Sequence, residues 1–201
     1  MRYLGISEGF HNAAYAVVRN NKIEFATEVE RITKQKNDKV IPDFHFKTLK
    51  KKYYYDKTIF HEYTNFKNAR REMYGMGKTT PCRKYDIDNI FHHQSHAAVA
   101  SLTAPFVPHS TVVVDAIGEF ETFTIWKGRG NKLRKVYSQS YPSSLGLWYS
   151  AMTQRCGLKP NEEEYILMGM SAFGDPDRLY REILSDFFDL NKNPYWVKHN
   201  L

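Results

Sequence analysis

Ile90-Phe91-His92-His93-Gln94-Ser95-His96-Ala97-Ala98-Val99-Ala100, followed by Thr111-Val112-Val113-Val114-Asp115-Ala116-Ile117-Gly118-Glu119, is the stretch that decides how this chain is read. A helix over residues 92 to 104 sets His92 and His96 four apart on one face, within reach of one metal ion. The β-branched run Thr111 to Val114 predicts a buried strand, and Asp115 follows at its carboxyl end, where open α/β sheets place ligands. Two imidazoles and one carboxylate with open positions form a ligand set for Fe(II), with Zn(II) or Mn(II) as alternatives, and the open positions accept phosphate oxygens. Taken alone, such a histidine pair on an Ala-rich helix is more often solvated or core-satisfied than ligating. The pattern is not that of a zincin protease, because His93 stands where the general-base Glu belongs; His93 itself reads as a bystander.

Working outward towards the amino terminus, residues 2 to 30 read as a β-meander. Its strands are Tyr3 to Ile6, Ala13 to Val18 and Lys22 to Val29, with Asn20-Asn21 as a hairpin turn that tolerates left-handed backbone. The polar turn Ser7-Glu8-Gly9-Phe10-His11-Asn12 offers Ser7 as a phosphate contact, although many hairpins carry such a turn without function. Towards the carboxyl terminus, Phe120 to Lys127 alternates Thr122, Thr124 and Trp126 with Phe123 and Ile125, which predicts a strand. Gly128 to Asn131 turns it into a partner over 132 to 139. Beyond Tyr141 the chain becomes helical. Ser143 or Ser144 caps a helix through Leu147 and Met152, Asn161 to Glu164 reads as a capping box, and Asp175-Pro176-Asp177 opens an amphipathic helix ending near Leu190. Gly169, between two methionines, lets backbone approach a ligand closely or simply belongs to a core.

Composition bounds the function classes. A chain of 201 residues, 42% hydrophobic and 15% aromatic, can bury a core as one domain or slightly more. Its apolar runs are too short to cross a bilayer, Met1-Arg2 opens no signal sequence, and Cys82 and Cys156 read as packing residues of a reducing, cytoplasmic compartment. The net charge of +7 resides in residues 1 to 90, with 18 Lys+Arg against 11 Asp+Glu, and this asymmetry points to an anionic partner. Lys47 to Tyr55 mixes cations with aromatics as single-strand binders do, yet such a run is more often a solvated helix face; nucleotide phosphates use the charge equally well, so nucleic acid is not favoured.

Past the third strand comes Glu30-Arg31-Ile32-Thr33 followed by Lys36. Together with Leu4-Gly5-Ile6, His11-Asn12-Ala13-Ala14, His92 to Ala98, Asp115 to Glu119, Ser144-Leu145-Gly146-Leu147-Trp148-Tyr149 and Met168-Gly169-Met170, this order of blocks resembles the amino-terminal part of the O-carbamoyltransferases that tailor nodulation factors and antibiotics. The resemblance implies an α/β fold, an actin-like ATPase (ribonuclease H-like) lobe with a mixed five-stranded sheet flanked by helices and its second lobe absent. It implies His92, His96 and Asp115 as ligands of a metal that holds nucleotide phosphates, and His11 and Lys36 as the lining of the carbamoyl pocket. Gly118, Glu119 and Thr122 resemble the second phosphate loop of that fold.

The resemblance divides the chain into a meander with its phosphate turn (1 to 39), a basic variable insert (40 to 86), a metal and phosphate segment (87 to 140) and a helical part (141 to 201). It implies transfer of a carbamoyl group from carbamoyl adenylate, made from carbamoyl phosphate and ATP, to a small-molecule, nucleotide or sugar hydroxyl. Such chemistry needs cations and preorganised donors around a mixed anhydride. Lys36 supplies a point charge and His11 a hydrogen bond or a general base near neutral pH. The chain departs from the family at Ala116, where a Gly is usual, and at Ile166, where a Lys is usual. Family members are also much longer, so the chain is expected to need a second polypeptide or lobe. A non-catalytic metal and nucleotide module, or a relative of the tRNA threonylcarbamoyl transferases, is the alternative.

Overall fold

The computed structural model describes residues 1–9, 12–78, 87–192 and 196–198, which fall into two compact units, 1–95 and 96–201. In the first unit, β1 (Arg2–Ser7), β2 (Ala14–Arg19) and β3 (Lys22–Glu28) form the expected meander, and Asn20 and Asn21 take φ of 48° and 61° in its turn. A short α1 (Glu30–Thr33) leads to α2 (Asp43–Tyr53), β4 (Lys57–Phe60), α3 (Thr64–Met73) and β5 (Ile87–Asn89). The sheet order is β3-β2-β1-β4-β5, with β2 antiparallel to its neighbours and β1, β4 and β5 parallel. One reversed strand in that order is the ribonuclease H-like arrangement, and the mixed five-stranded sheet is therefore present.

Period-2 alternation decides which face of this sheet is covered. Leu4 lies opposite Val17 and Thr58, and Ile6 opposite Tyr15 and Phe60, so these six side chains share one buried face. Phe46 and Leu49, one turn apart on α2, join that core with Val29 and Ile41. The lysines among them, Lys47, Lys50, Lys51 and Lys52, are exposed, and the last three sit in the final turn of α2, where cations suit the helix dipole. The basic run is thus a solvated helix face. The segment 40–86, read from the sequence as a variable insert, supplies β4, a neighbour of the central strand.

The second unit opens within α4 (His92–Thr103) and continues with β6 (His109–Val114), β7 (Glu121–Arg129) and β8 (Lys132–Ser140), a separate antiparallel sheet in the order β6-β7-β8. It repeats the meander that begins the first unit and, like it, is followed by a helix, α5 (Leu145–Arg155). Among the described residues β6 has a strand neighbour on one side only. Its alternation buries His109, Thr111 and Val113 and exposes Ser110, Val112 and Val114. The apolar core is small, Ala97, Val113 and Trp126 with Leu133 against them, and it is supplemented by buried polar groups: the Trp126 indole N–H donates to Thr124 Oγ1 at 2.8 Å.

Ser144 caps α5 as expected, accepting from the Leu147 amide at 3.0 Å. The capping box over 161–164 is only half formed: the Asn161 amide donates to Glu164 Oε1 at 2.5 Å, but α6 (Glu164–Met170) starts at Glu164 with Glu163 as its N-cap and no side chain capping it. A 3-10 turn (Ser171–Phe173), α7 (Tyr180–Phe187) and the short pair β9 (Phe188–Asp189) and β10 (Trp196–Val197) complete the described chain. Cys156 does not serve as the packing residue it was read as, being exposed at the end of α5, and Cys82 lies outside the described residues. No described helix is long and apolar enough to cross a membrane.

Candidate metal and phosphate site

α4 begins three residues after β5, and the Ile90 amide is tied to the Phe60 carbonyl at 3.0 Å, so the helix starts at the carboxyl ends of the parallel strands. His93, Ala97 and Ser101 recur at i, i+4 and i+8 and are buried, His93 fully. The stripe next to it carries His92 and His96, one turn apart. His96 is half exposed, and its Nε2 lies 3.7 Å from Asp115 Oδ2. One ion with bonds of about 2.0–2.2 Å can span that separation.

Asp115 is held by its neighbours. Its amide continues the ladder to the Thr122 carbonyl at 3.0 Å, and Oδ1 accepts from the Ala116 amide at 2.6 Å, leaving Oδ2 towards His96. The start of α5 clamps the same loop: Ser144 Oγ donates to the Ala116 carbonyl at 2.6 Å. Gly146 is obligatory in this packing, because a Cβ there would lie 2.6 Å from the Ala116 N and Cα and 2.8 Å from the Asp115 carbonyl carbon. Neither Ser144 nor Gly146 was singled out as a site residue from the sequence, though both stand in the block around α5.

The remaining candidates are distributed as follows. Gly118 and Glu119 are buried in the turn between β6 and β7, with the Gly118 amide bonded to the Glu121 carbonyl at 2.8 Å. Thr122, read as a phosphate contact, is buried and donates its hydroxyl to the Ser143 carbonyl at 2.5 Å, a brace between β7 and α5. Gly169 lies exposed on α6, and nothing approaches within 4 Å of where its Cβ would be, so no close backbone contact exists there in the protein itself. Ser7 ends β1 opposite Ala14, Lys36 is exposed after α1, and His11 lies outside the described residues.

The loop flanking His11 and the segment carrying Lys36 are nonetheless stitched together. The Gly9 amide donates to the Lys39 carbonyl at 2.9 Å, the Ala13 amide to the Asp38 carbonyl at 2.7 Å, and the Ile41 amide to Glu8 Oε2 at 3.1 Å. Glu30 closes the arrangement: its Oε2 accepts from Asn12 Nδ2 and from the Asn37 amide, both at 3.1 Å. Asn12 and Asn37 are the sequence neighbours of His11 and Lys36. Sequence reasoning quoted Glu30 only as part of a block and assigned it no role.

A second cluster also escaped it. His61 and Glu62 follow β4, and one ligand atom from each lies within 4.8 Å of the others and of one from His92. The buried Glu62 carboxylate is gripped by Lys67 Nζ at 2.9 and 3.0 Å, and the His61 ring meets the His92 ring edge-on at 5.4 Å. The His-Glu pair at the end of a parallel strand was the available signal.

Comparison with known proteins gives these residues a context. The family model described as the carbamoyltransferase N-terminus matches residues 45–200. An uncharacterized protein of Synechocystis sp. is 29% identical over 227 aligned residues, covering 93% of this chain and 37% of that protein. Nodulation protein NolO of Bradyrhizobium diazoefficiens is 33% identical over 101, covering 49% and 18% respectively. The chain thus spans well under half the length of these relatives. Among solved structures, the Aquifex aeolicus PPX-GPPA enzyme overlays with a TM-score of 0.40 at 15% identity, over 88% of this chain and 65% of that one, too loose a likeness to carry an inference.

Proposed function

The chain belongs to the carbamoyltransferase N-terminal family, and from that premise we propose that it forms part of a site transferring a carbamoyl group from carbamoyl adenylate to a hydroxyl acceptor. The observation that carries the reading is the His96–Asp115 pair at 3.7 Å, with His92 one helical turn before His96 and the Asp115 loop clamped by Ser144 and Gly146. Two imidazoles and a carboxylate suit Fe(II), and Zn(II), Mn(II) or Mg(II) are the competing occupants. When bound, that ion supplies Lewis-acid charge to hold the phosphates of ATP and of the adenylate.

In this reading the acceptor oxygen attacks the carbamoyl carbon, the bond from that carbon to the phosphate oxygen of the adenylate breaks, and AMP leaves. His11 takes the proton of the acceptor hydroxyl, and Lys36 offsets the negative charge that develops on the carbonyl oxygen. The stitching of their flanking segments through Glu30 supports the pairing of these two residues. Groups outside residues 1–201, on a further segment or a second polypeptide, complete the nucleotide site; the fraction of the relatives that this chain spans supports that arrangement.

The test is anaerobic Fe(II) titration of wild type, His96→Ala and Asp115→Ala, each with and without ATP. One ion per chain, tightened by ATP and lost in both variants, is expected. Binding that survives both substitutions would sink the assignment. Metal binding with no carbamoyl-phosphate-dependent transfer in the full-length protein would reduce the chain to a non-catalytic module.

A further inference from the structure

The hairpin joining β7 to β8 carries a feature that the carbamoyl reading does not use. In its terminal rungs Lys127 lies directly opposite Arg134, and Arg129 directly opposite Lys132. Residues directly opposite share a face, and so do residues two apart on a strand, so all four cations project from one face of the sheet. Gly128 between them fixes which face: a Cβ there would collide with the His109 ring and Ser101 Oγ, so the hairpin lies tightly against His109 on the other side. His109 is already engaged there by Ser101 Oγ and by the Phe106 carbonyl.

Like charges directly opposite each other destabilise a hairpin, and here two such rungs are stacked. No described acidic side chain forms an ion pair with any of the four, although Lys135 on the next rung has Glu121. The four cations rim an open surface depression at the hairpin end, which Pro108, His109, Ser110 and Leu133 also line. Neighbouring strands stand about 4.8 Å apart and residues two apart on a strand about 6.7 Å, so the cations form a grid of that size. The two rungs stand farther apart than two directly linked phosphates, so the outer phosphates of a triphosphate are the ones that face them, with the arginines able to grip oxygens in pairs.

We propose that this face binds the polyphosphate moiety of a small molecule, at a site separate from the His96–Asp115 pair. β6 runs from His109 to the residue before Asp115, so the two sites lie at opposite ends of a strand, roughly 20 Å apart at about 3.4 Å per residue. The proposal does not depend on the carbamoyl reading.

Calorimetric titration of the whole chain with inorganic tripolyphosphate tests it, against orthophosphate, ATP and a single-stranded oligonucleotide. Tripolyphosphate is expected to bind at least about tenfold more tightly than orthophosphate, and less tightly as salt rises. Lys132→Glu with Arg134→Glu should abolish this binding and, because both rungs become opposite-charge pairs, should raise the thermal midpoint of the ligand-free chain. Equal binding of ATP and tripolyphosphate assigns recognition to the phosphates alone, and tighter ATP binding adds the nucleoside. Undiminished tripolyphosphate binding in the double variant, or tighter binding of the oligonucleotide than of either small ligand, overturns the proposal.

Discussion

Gly146→Ala isolates the clamp on the Asp115 loop. The added methyl would start 2.6 Å from two backbone atoms of Ala116. Ordinary contact requires about 3.4 Å or more, so α5 or the loop must give way by about 0.8 Å. Neither can do so by rotating a side chain, because every atom met is backbone. Overpacking of this kind costs about 1–3 kcal/mol, offset by less than about 1 kcal/mol from the better helix propensity of alanine. A net loss of about 1–2 kcal/mol lowers the thermal midpoint of a unit of this size by roughly 5–15 °C. The same displacement moves Oδ2 of Asp115 relative to His96, and disturbing groups that orient a ligand typically lowers metal affinity by about 10- to 100-fold. Calorimetric unfolding and Co(II) titration of the variant read both quantities. Wild-type midpoint and affinity together would refute the reasoning, since they would show that the loop yields freely and does not position Asp115.

Gly169→Ala is the matched control: with open space around the position and a helical backbone, it should stabilise by up to about 1 kcal/mol and leave metal affinity unchanged, and a loss of affinity would return Gly169 to the site. Glu30→Ala removes the acceptor shared by Asn12 and the Asn37 amide; since bonds to a charged acceptor contribute about 1.5–3 kcal/mol each when buried and these are partly exposed, a loss of about 2 kcal/mol in urea unfolding is expected. Carbamoyl transfer by the full-length protein should fall with it, whereas an unchanged rate would separate Glu30 from catalysis. Burial and then the neighbouring Tyr53 push the Tyr15 phenol above its ordinary range, so above about pH 10 the unfolded chain ionises first and stability declines as pH rises further. Tyr15→Phe should remove that alkaline contribution, and an identical alkaline limb in both proteins would assign it elsewhere.

Periodicity carried most of the local structure. The i, i+4 repeat located α4, β-branched runs and alternation located β1, β2, β6 and β7, and Ser144 announced α5. The bond from the Thr122 hydroxyl to the Ser143 carbonyl was not legible, because it joins residues 21 apart that no local pattern connects. β4 and β5 were missed for a different reason. They span four and three residues, too few to show a period, and their parallel pairing is set by strands distant in sequence. With β4 went His61 and Glu62, and the division into two units was likewise invisible, because α4 crosses the boundary without any break in its pattern.

The one-sided pairing of β6 bears on how this polypeptide behaves at the bench. No described strand pairs with its outer edge, and Val112 and Val114, 56% and 48% exposed, face solvent on the same strand. A strand of this kind is a template for another copy of itself, so concentrated solutions should self-associate through β6 unless a further strand is provided. A lysine at position 112, which adds charge without touching the buried Thr111 and Val113, is the substitution that should keep the chain monomeric for every titration described above.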